Sequence, residues 1–194
     1  MQLQTKQLGI FAVLVLLMAV TRGSHFGSSS YLPDATLAVF LLAGFFLARL
    51  SWVALLAFGL LLLEAGGIDY YAINVAGVSD WCVTPAYWFL IPTYASMWLG
   101  GRWFAARQQN SWRHLALFGG VSVLATMFAF LISNGSFYLL SGRYSEMGVA
   151  EYAGSMAQYF LPYMTGSLIY LALAALLYIV LGNTNKAAAG AAQS

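Results

Sequence analysis

Of 194 residues, 61% are hydrophobic and only 7% charged, with a mean hydropathy of +0.77, whereas an average soluble domain carries roughly 25% charged residues. Eight basic and six acidic residues could not keep so much apolar surface in water, which excludes soluble enzyme folds and predicts an integral membrane protein. The net charge of +2 comes from bases scattered along the chain, which argues against a nucleic-acid partner; the single Cys82 cannot form an intramolecular disulfide, and two histidines without Cys-x-x-Cys exclude a closed zinc site.

Apolar runs predict an all-α protein with six transmembrane helices, at 8–20, 35–50, 51–65, 86–101, 115–140 and 159–181. Each approaches the ~20 residues a helix needs to cross the hydrocarbon. The runs are solidly apolar instead of alternating, which rejects a β-barrel. The first run follows Lys6 and is short, like a signal-peptide core, but no small-x-small cleavage site follows it cleanly before Arg22. Gly44/Ala48 and Ala125/Ala129 have the small-residue spacing that lets helices approach closely. Residues 1–182 are read as a single six-helix domain and 183–194, NTNKAAAGAAQS, as a flexible cytoplasmic tail.

With the N-terminus inside, Lys6, Arg49, Arg102, Arg107, Arg113 and Lys186 fall on the cytoplasmic side and only Arg22 and Arg143 outside. Six against two obeys the positive-inside rule and places both termini in the cytoplasm. Trp52, Trp98, Trp103 and Trp112 then serve the inner interface, while tyrosines gather around the outer connections 21–34, 64–85 and 141–158. Outer loops of that length are uncommon in compact proteins unless functional or disordered, and these hold too many aromatics for disorder. Tyrosine suits a wet cavity for a large ligand with an apolar face and a polar rim.

The segment from Glu64 to Trp88, EAGGIDYYAINVAGVSDWCVTPAYW, breaks the hydrophobic pattern. Cys82 sits between Asp80–Trp81 and Pro85 at an outer helix entrance. Its sulfur reads as a small buried hydrophobe, as a ligand for a soft or borderline metal, or as a nucleophile. Asp69 reads as a loop carboxylate, a helix cap or a ligand contact, and Tyr87 as part of an aromatic belt or of the cavity. His25, in GSHFGSSS, is a loop histidine that could meet a cofactor; Arg143 suits a lipid headgroup, Glu146 or a ligand; Glu64 ends a leucine run and could snorkel to water.

With Asp69, Cys82 and Tyr87 in GIDYYAIN and DWCVTPAYW, six short helices over residues 8–181 and aromatic outer loops, the chain resembles the BtuM family of proteobacterial cobalamin transporters. That family is similar in fold to the S-components of energy-coupling-factor transporters. The resemblance implies a bacterial inner-membrane protein that binds cobalamin (vitamin B12) in an outward-facing cavity. It implies Cys82 as axial cobalt ligand displacing the nucleotide base, removal of cyanide from cyanocobalamin, and Asp69 and Tyr87 as ligand-binding residues. His25 and Arg143 match by loop and residue type. The Ala-x-x-x-Ala with which S-components dock on an energising module is missing from the first span, LGIFAVLVLLMAV, and no nucleotide-binding motif occurs. Two other classes stay open: a membrane thiol enzyme using Cys82 as nucleophile, and a non-catalytic assembly subunit.

Overall fold

The computed structural model describes residues 2–23, 32–48, 51–109 and 111–191. Among them the chain is all-helical, with no strand: α1 (Gln2–Thr21), α2 (Thr36–Phe46), α3 (Ser51–Asn74), a short 3-10 helix (Pro85–Phe89), α4 (Leu90–Ala105), α5 (Trp112–Leu140) and α6 (Val149–Ala191). Three stretches, Trp52–Asn74, Trp112–Leu140 and Val149–Val180, are long and apolar enough to cross a membrane. The apolar stretch of α1, Thr5–Thr21, and the whole of α2 are shorter.

The short helix sits at the centre. Thr36 and the run Ala38–Gly44 are buried, so α2 is covered on all sides, and it packs against α1, α3, α4 and α6. A helix apolar all round has no polar face to present to water and is covered by protein or lipid; here its neighbours cover it. Its closest partner is α4. A Cβ added at Gly44 would run into the Trp98 carbonyl, and one added at Gly101 into the Leu41 carbonyl, so two glycines on facing helices let the backbones touch. Phe40 stacks on Tyr94 with ring centroids 4.5 Å apart, and Phe58 of α3 meets Trp98 at 5.3 Å. Trp98 is thus a core residue, 8% exposed, whereas Trp52 and Trp112 are 80% and 82% exposed.

Several boundaries differ from the sequence reading. The helix expected to end at 65 runs on to Asn74, because Ala65 and Asp69 continue its buried face and Asp69 is tied down by Arg22. It stops where Gly77, at φ +71°, turns the chain so that Val78 N–H reaches the Ala72 carbonyl. The helix expected from 159 starts at Val149, with Glu151 in its first turn, where a negative charge favours the helix dipole. Tyr152 anchors this added stretch, packing between Tyr138 and Tyr144 and donating to the Asn134 carbonyl at 3.0 Å. The connections shrink accordingly to 75–84 and 141–148. At its other end α6 stays helical to Ala191, as an alanine-rich stretch favours. Its proline, Pro162, removes one backbone donor within the helix.

Cross-links fix which ends lie together. Arg22, Asp69 and Tyr87 meet at one end, where Arg143 also reaches Trp81. Gln108 and Tyr178 meet at the other, near Phe45. Consecutive helices are therefore joined at alternating ends, and Arg102, Arg107 and Arg113 lie at the end opposite Cys82.

Candidate functional site

Among the described residues, the Cys82 end holds a buried polar cluster and an exposed thiol. The cluster is built on Arg22, which follows directly on α1 and is 0% exposed. Its Nε donates to Asp69 Oδ1 at 2.8 Å and its Nη2 to Asp69 Oδ2 at 2.6 Å, the bidentate fork of a guanidinium on a carboxylate. Nη1 donates to Thr36 Oγ1 at 3.1 Å and to the Tyr94 hydroxyl at 3.0 Å, and Nε also reaches the Ala65 carbonyl at 3.2 Å. Tyr87 donates to Asp69 Oδ2 at 2.7 Å. One guanidinium thus ties α1 to α2, α3 and α4, while Asp69 relays the tie to the 3-10 helix. Removed from water, such a pair holds only if its remaining donors and acceptors find partners, and here each guanidinium nitrogen and each carboxylate oxygen has at least one.

Cys82 lies beyond this cluster in a tight turn. Val83 N–H donates to the Asp80 carbonyl at 2.8 Å, and Thr84 N–H to that of Cys82 at 3.1 Å. Thr84 then accepts Ala86 N–H with its side chain, and Pro85 opens the 3-10 helix. This geometry leaves the thiol exposed. Beside it, the Arg143 guanidinium stacks over the Trp81 ring at 3.6 Å and donates to the Trp81 carbonyl at 3.0 Å. Gly142, at φ +69°, makes the turn that brings Arg143 there. Partial burial pushes the Cys82 thiol above its ordinary value; Arg143 pulls it down in part, and the negative charge of Asp69 pushes it up again. The sulfur is therefore a neutral thiol near pH 7, and a metal that binds it must displace the proton.

An open groove of about 820 Å³ runs between α3 and α4, lined by leucines such as Leu55 and Leu62, with Arg22, Tyr87 and Tyr94 at its polar end. Tyr87, half-buried, belongs both to this groove and to the Asp69 cluster.

Of the sequence-derived candidates, the structure gathers Asp69 and Tyr87 in one cluster and Cys82 and Arg143 in one neighbouring patch. Asp69 is 2% exposed, with both oxygens occupied, so it is neither a solvated loop carboxylate nor a helix cap. Arg143 pairs with Trp81, not Glu146, among the described contacts. His25 lies outside the described residues. His114 lies at the opposite end, its Nδ1 2.7 Å from Ser111 Oγ, and gives Cys82 no base. Among the described residues no three His, Cys, Asp or Glu side chains gather to hold a metal, so a metal at Cys82 would have to bring most of its own ligands. Sequence reasoning missed Arg22, Thr36 and Tyr94. The available signal was Arg22 itself, a base set directly after an apolar run, which needs an acid wherever the helix end is covered. No family model matches the chain, and a search of curated proteins finds no match.

Proposed function

We propose that the chain is a bacterial inner-membrane protein for cobalamin uptake, a six-helix bundle similar to the S-components of energy-coupling-factor transporters. Cys82 is the axial ligand of the corrin cobalt on the outer face. One observation carries this reading: an exposed thiol held in a fixed turn, next to an indole that a guanidinium clamps from the adjoining connection. A corrinoid brings the remaining cobalt ligands in its own ring, which suits a site with one soft protein donor. Its large flat face and amide rim suit an indole flanked by a cation.

In this reading Tyr87 contacts the corrinoid, and Asp69 acts through Tyr87 and Arg22 as a positioning residue. His25 and Arg143 complete the rim from the first and third outer connections. Sulfur takes the lower cobalt position from the nucleotide base and gives up its proton. In cyanocobalamin the upper cobalt–cyanide bond then breaks, water replaces cyanide, and cyanide leaves with a proton as hydrogen cyanide. Cobalt keeps its oxidation state, so this exchange needs no electron. Both termini are cytoplasmic, as the grouping of Arg102, Arg107 and Arg113 away from Cys82 supports. The first helix lacks the Ala-x-x-x-Ala dock, in keeping with a solitary transporter.

The test is an absorption spectrum of the purified protein with cobalamin, because the corrin chromophore reports its axial ligands. A base-off spectrum in the wild type that is lost in Cys82→Ser supports the reading. A wild-type spectrum matching free base-on cobalamin overturns it.

A further inference from the structure

Two hydrogen-bond donors at the Arg102 end have nothing to bond. Trp98 Nε1 and Arg102 Nη1 are both buried, and neither has a partner among the described residues. Trp98 is only 8% exposed, and an indole N–H so covered usually finds an acceptor. Arg102 is half-buried and makes no ion pair among the described residues; its guanidinium lies over the Trp98 ring, 4.8 Å from the centroid. The chain offers no carboxylate there. Of its six acids, Asp34, Asp69, Asp80, Glu146 and Glu151 lie at the Cys82 end, and Glu64 lies within α3 on the flank away from the groove. Arg107, stacked over Trp103 at 4.0 Å, and the exposed Arg113 add cations at the same end as Arg102.

The two donors stand at the foot of the groove between α3 and α4. Tyr94, which lines it, Trp98 and Arg102 follow one another about one turn apart on α4. Phe58 of α3, its ring 5.3 Å from that of Trp98, shares the flank of α3 that carries Leu62 and Ala65, which also line the groove. From Trp52 to Gly66 the groove follows α3 for about 21 Å, at ~1.5 Å per residue. That exceeds the ~15 Å that one leaflet contributes to the hydrocarbon core of a bilayer.

We propose that this seam binds an anionic phospholipid from the leaflet on the Arg102 side, with the headgroup phosphate on Trp98 Nε1 and the Arg102 guanidinium and an acyl chain in the groove. Phosphate oxygens are the acceptors that both donors lack, and basic sites between membrane helices take anionic headgroups in this way. With no bond to hold it, the half-buried Arg102 side chain can swing to admit the headgroup. The opposite end of the groove does not suit the phosphate: Arg22 is wholly buried, and each of its guanidinium nitrogens already donates within the chain. This goes beyond the cobalamin reading and stands whatever solute the protein carries.

The test uses no cobalamin, so its failure leaves that reading untouched. Detergent-solubilised protein is titrated with phosphatidylglycerol or with phosphatidylcholine, and bound lipid is counted by native mass spectrometry. The wild type should retain phosphatidylglycerol about tenfold more tightly than phosphatidylcholine, and Arg102→Gln should lose that margin. Trp98→Phe, which keeps a ring but removes the N–H, should weaken phosphatidylglycerol about fivefold. Excess inorganic phosphate should leave the lipid bound; displacement by it would assign the donors to a free anion and overturn the proposal. Equal retention of the two lipids by the wild type, or unchanged retention in Arg102→Gln, overturns it as well. If the variants fail to fold, the wild type decides alone, with a phosphatidylglycerol carrying a photoreactive diazirine in its acyl chain. Crosslinks should fall on groove residues such as Leu55, Gly59, Leu62 and Ile91, and crosslinks confined to α5 and α6 overturn the proposal.

Discussion

Arg22 and Asp69, 47 positions apart in sequence, close on one another through two hydrogen bonds of 2.8 and 2.6 Å, with both side chains almost wholly buried. Neither residue ends its partner's search at a single contact: Arg22 also holds Thr36 and Tyr94, and Asp69 also holds Tyr87. The pair is therefore the knot of the Cys82 end, and its loss leaves an uncompensated charge among apolar helices.

Removing one partner of a buried ion pair costs about 3–5 kcal/mol, because the charge that remains has no water to turn to. Arg22→Ala should lower the thermal stability of the detergent-solubilised protein by that order. The double replacement Arg22→Met/Asp69→Leu, which removes both charges and keeps apolar volume, should recover much of the loss. A double variant no more stable than the single one would mean that the knot works through packing of the guanidinium stem instead of charge.

Tyr87→Phe tests the relay. The variant loses one hydrogen bond to a charged acceptor, but Asp69 keeps Arg22, and the half-exposed site admits water, so the stability cost should be near 1 kcal/mol. If Tyr87 also positions the ligand, cobalamin should bind more weakly while its base-off spectrum at saturation is unchanged, since Cys82 is untouched. Unchanged affinity would confine Tyr87 to the fold.

How much of this was legible in the sequence follows from what each residue has to satisfy. Apolar runs showed the helices, because burial or lipid must cover them whatever the topology. Their ends are less legible where a polar residue suggests a loop: Asp69 continues a helix because Arg22 pairs it, and Glu151 opens one because the first turn favours an acid. The role of Arg22 depended on a partner far along the chain, which no local pattern records. Trp98 looked interfacial by composition and is buried because Gly44 lets α4 close on α2. The Cys82 turn was legible, since Asp80 and Pro85 punctuate it; the Arg143–Trp81 stack was not, because it joins two connections.

The two facing glycines give a steric prediction with an internal control. At Gly44 or Gly101 a methyl group meets backbone, which has no rotamer to move, so Gly44→Ala and Gly101→Ala should destabilise by about 1–3 kcal/mol or more. At Gly59 nothing lies within 4 Å of an added Cβ. Gly59→Ala should be neutral or gain up to about 1 kcal/mol from helix propensity. Thermal melts of the three variants separate close helix approach from a general dislike of alanine.

The last prediction concerns the reactivity of Cys82, and its sign follows from the neighbours of the sulfur. Burial and the Asp69 charge both hold the thiol above its ordinary value, while Arg143 works against them. Alkylation proceeds through the thiolate, so labelling of the wild type by a membrane-impermeant maleimide should be slow at pH 7 and still rising beyond the ordinary thiol range. Arg143→Gln removes the cation that opposes them among the described residues; the thiol moves further up, the thiolate fraction falls, and labelling at fixed pH slows. If Arg143 instead only shields the sulfur by holding Trp81 over the turn, its loss should open access, and labelling should accelerate. The two readings differ in the direction of the rate change, and the pH profile identifies which is at work: a shifted profile reports charge, and a uniform increase at every pH reports access. In oriented vesicles the same reagent gives the sidedness of Cys82. Reaction from the face opposite Arg102, Arg107 and Arg113 is expected, and reaction only from their side would invert the proposed orientation.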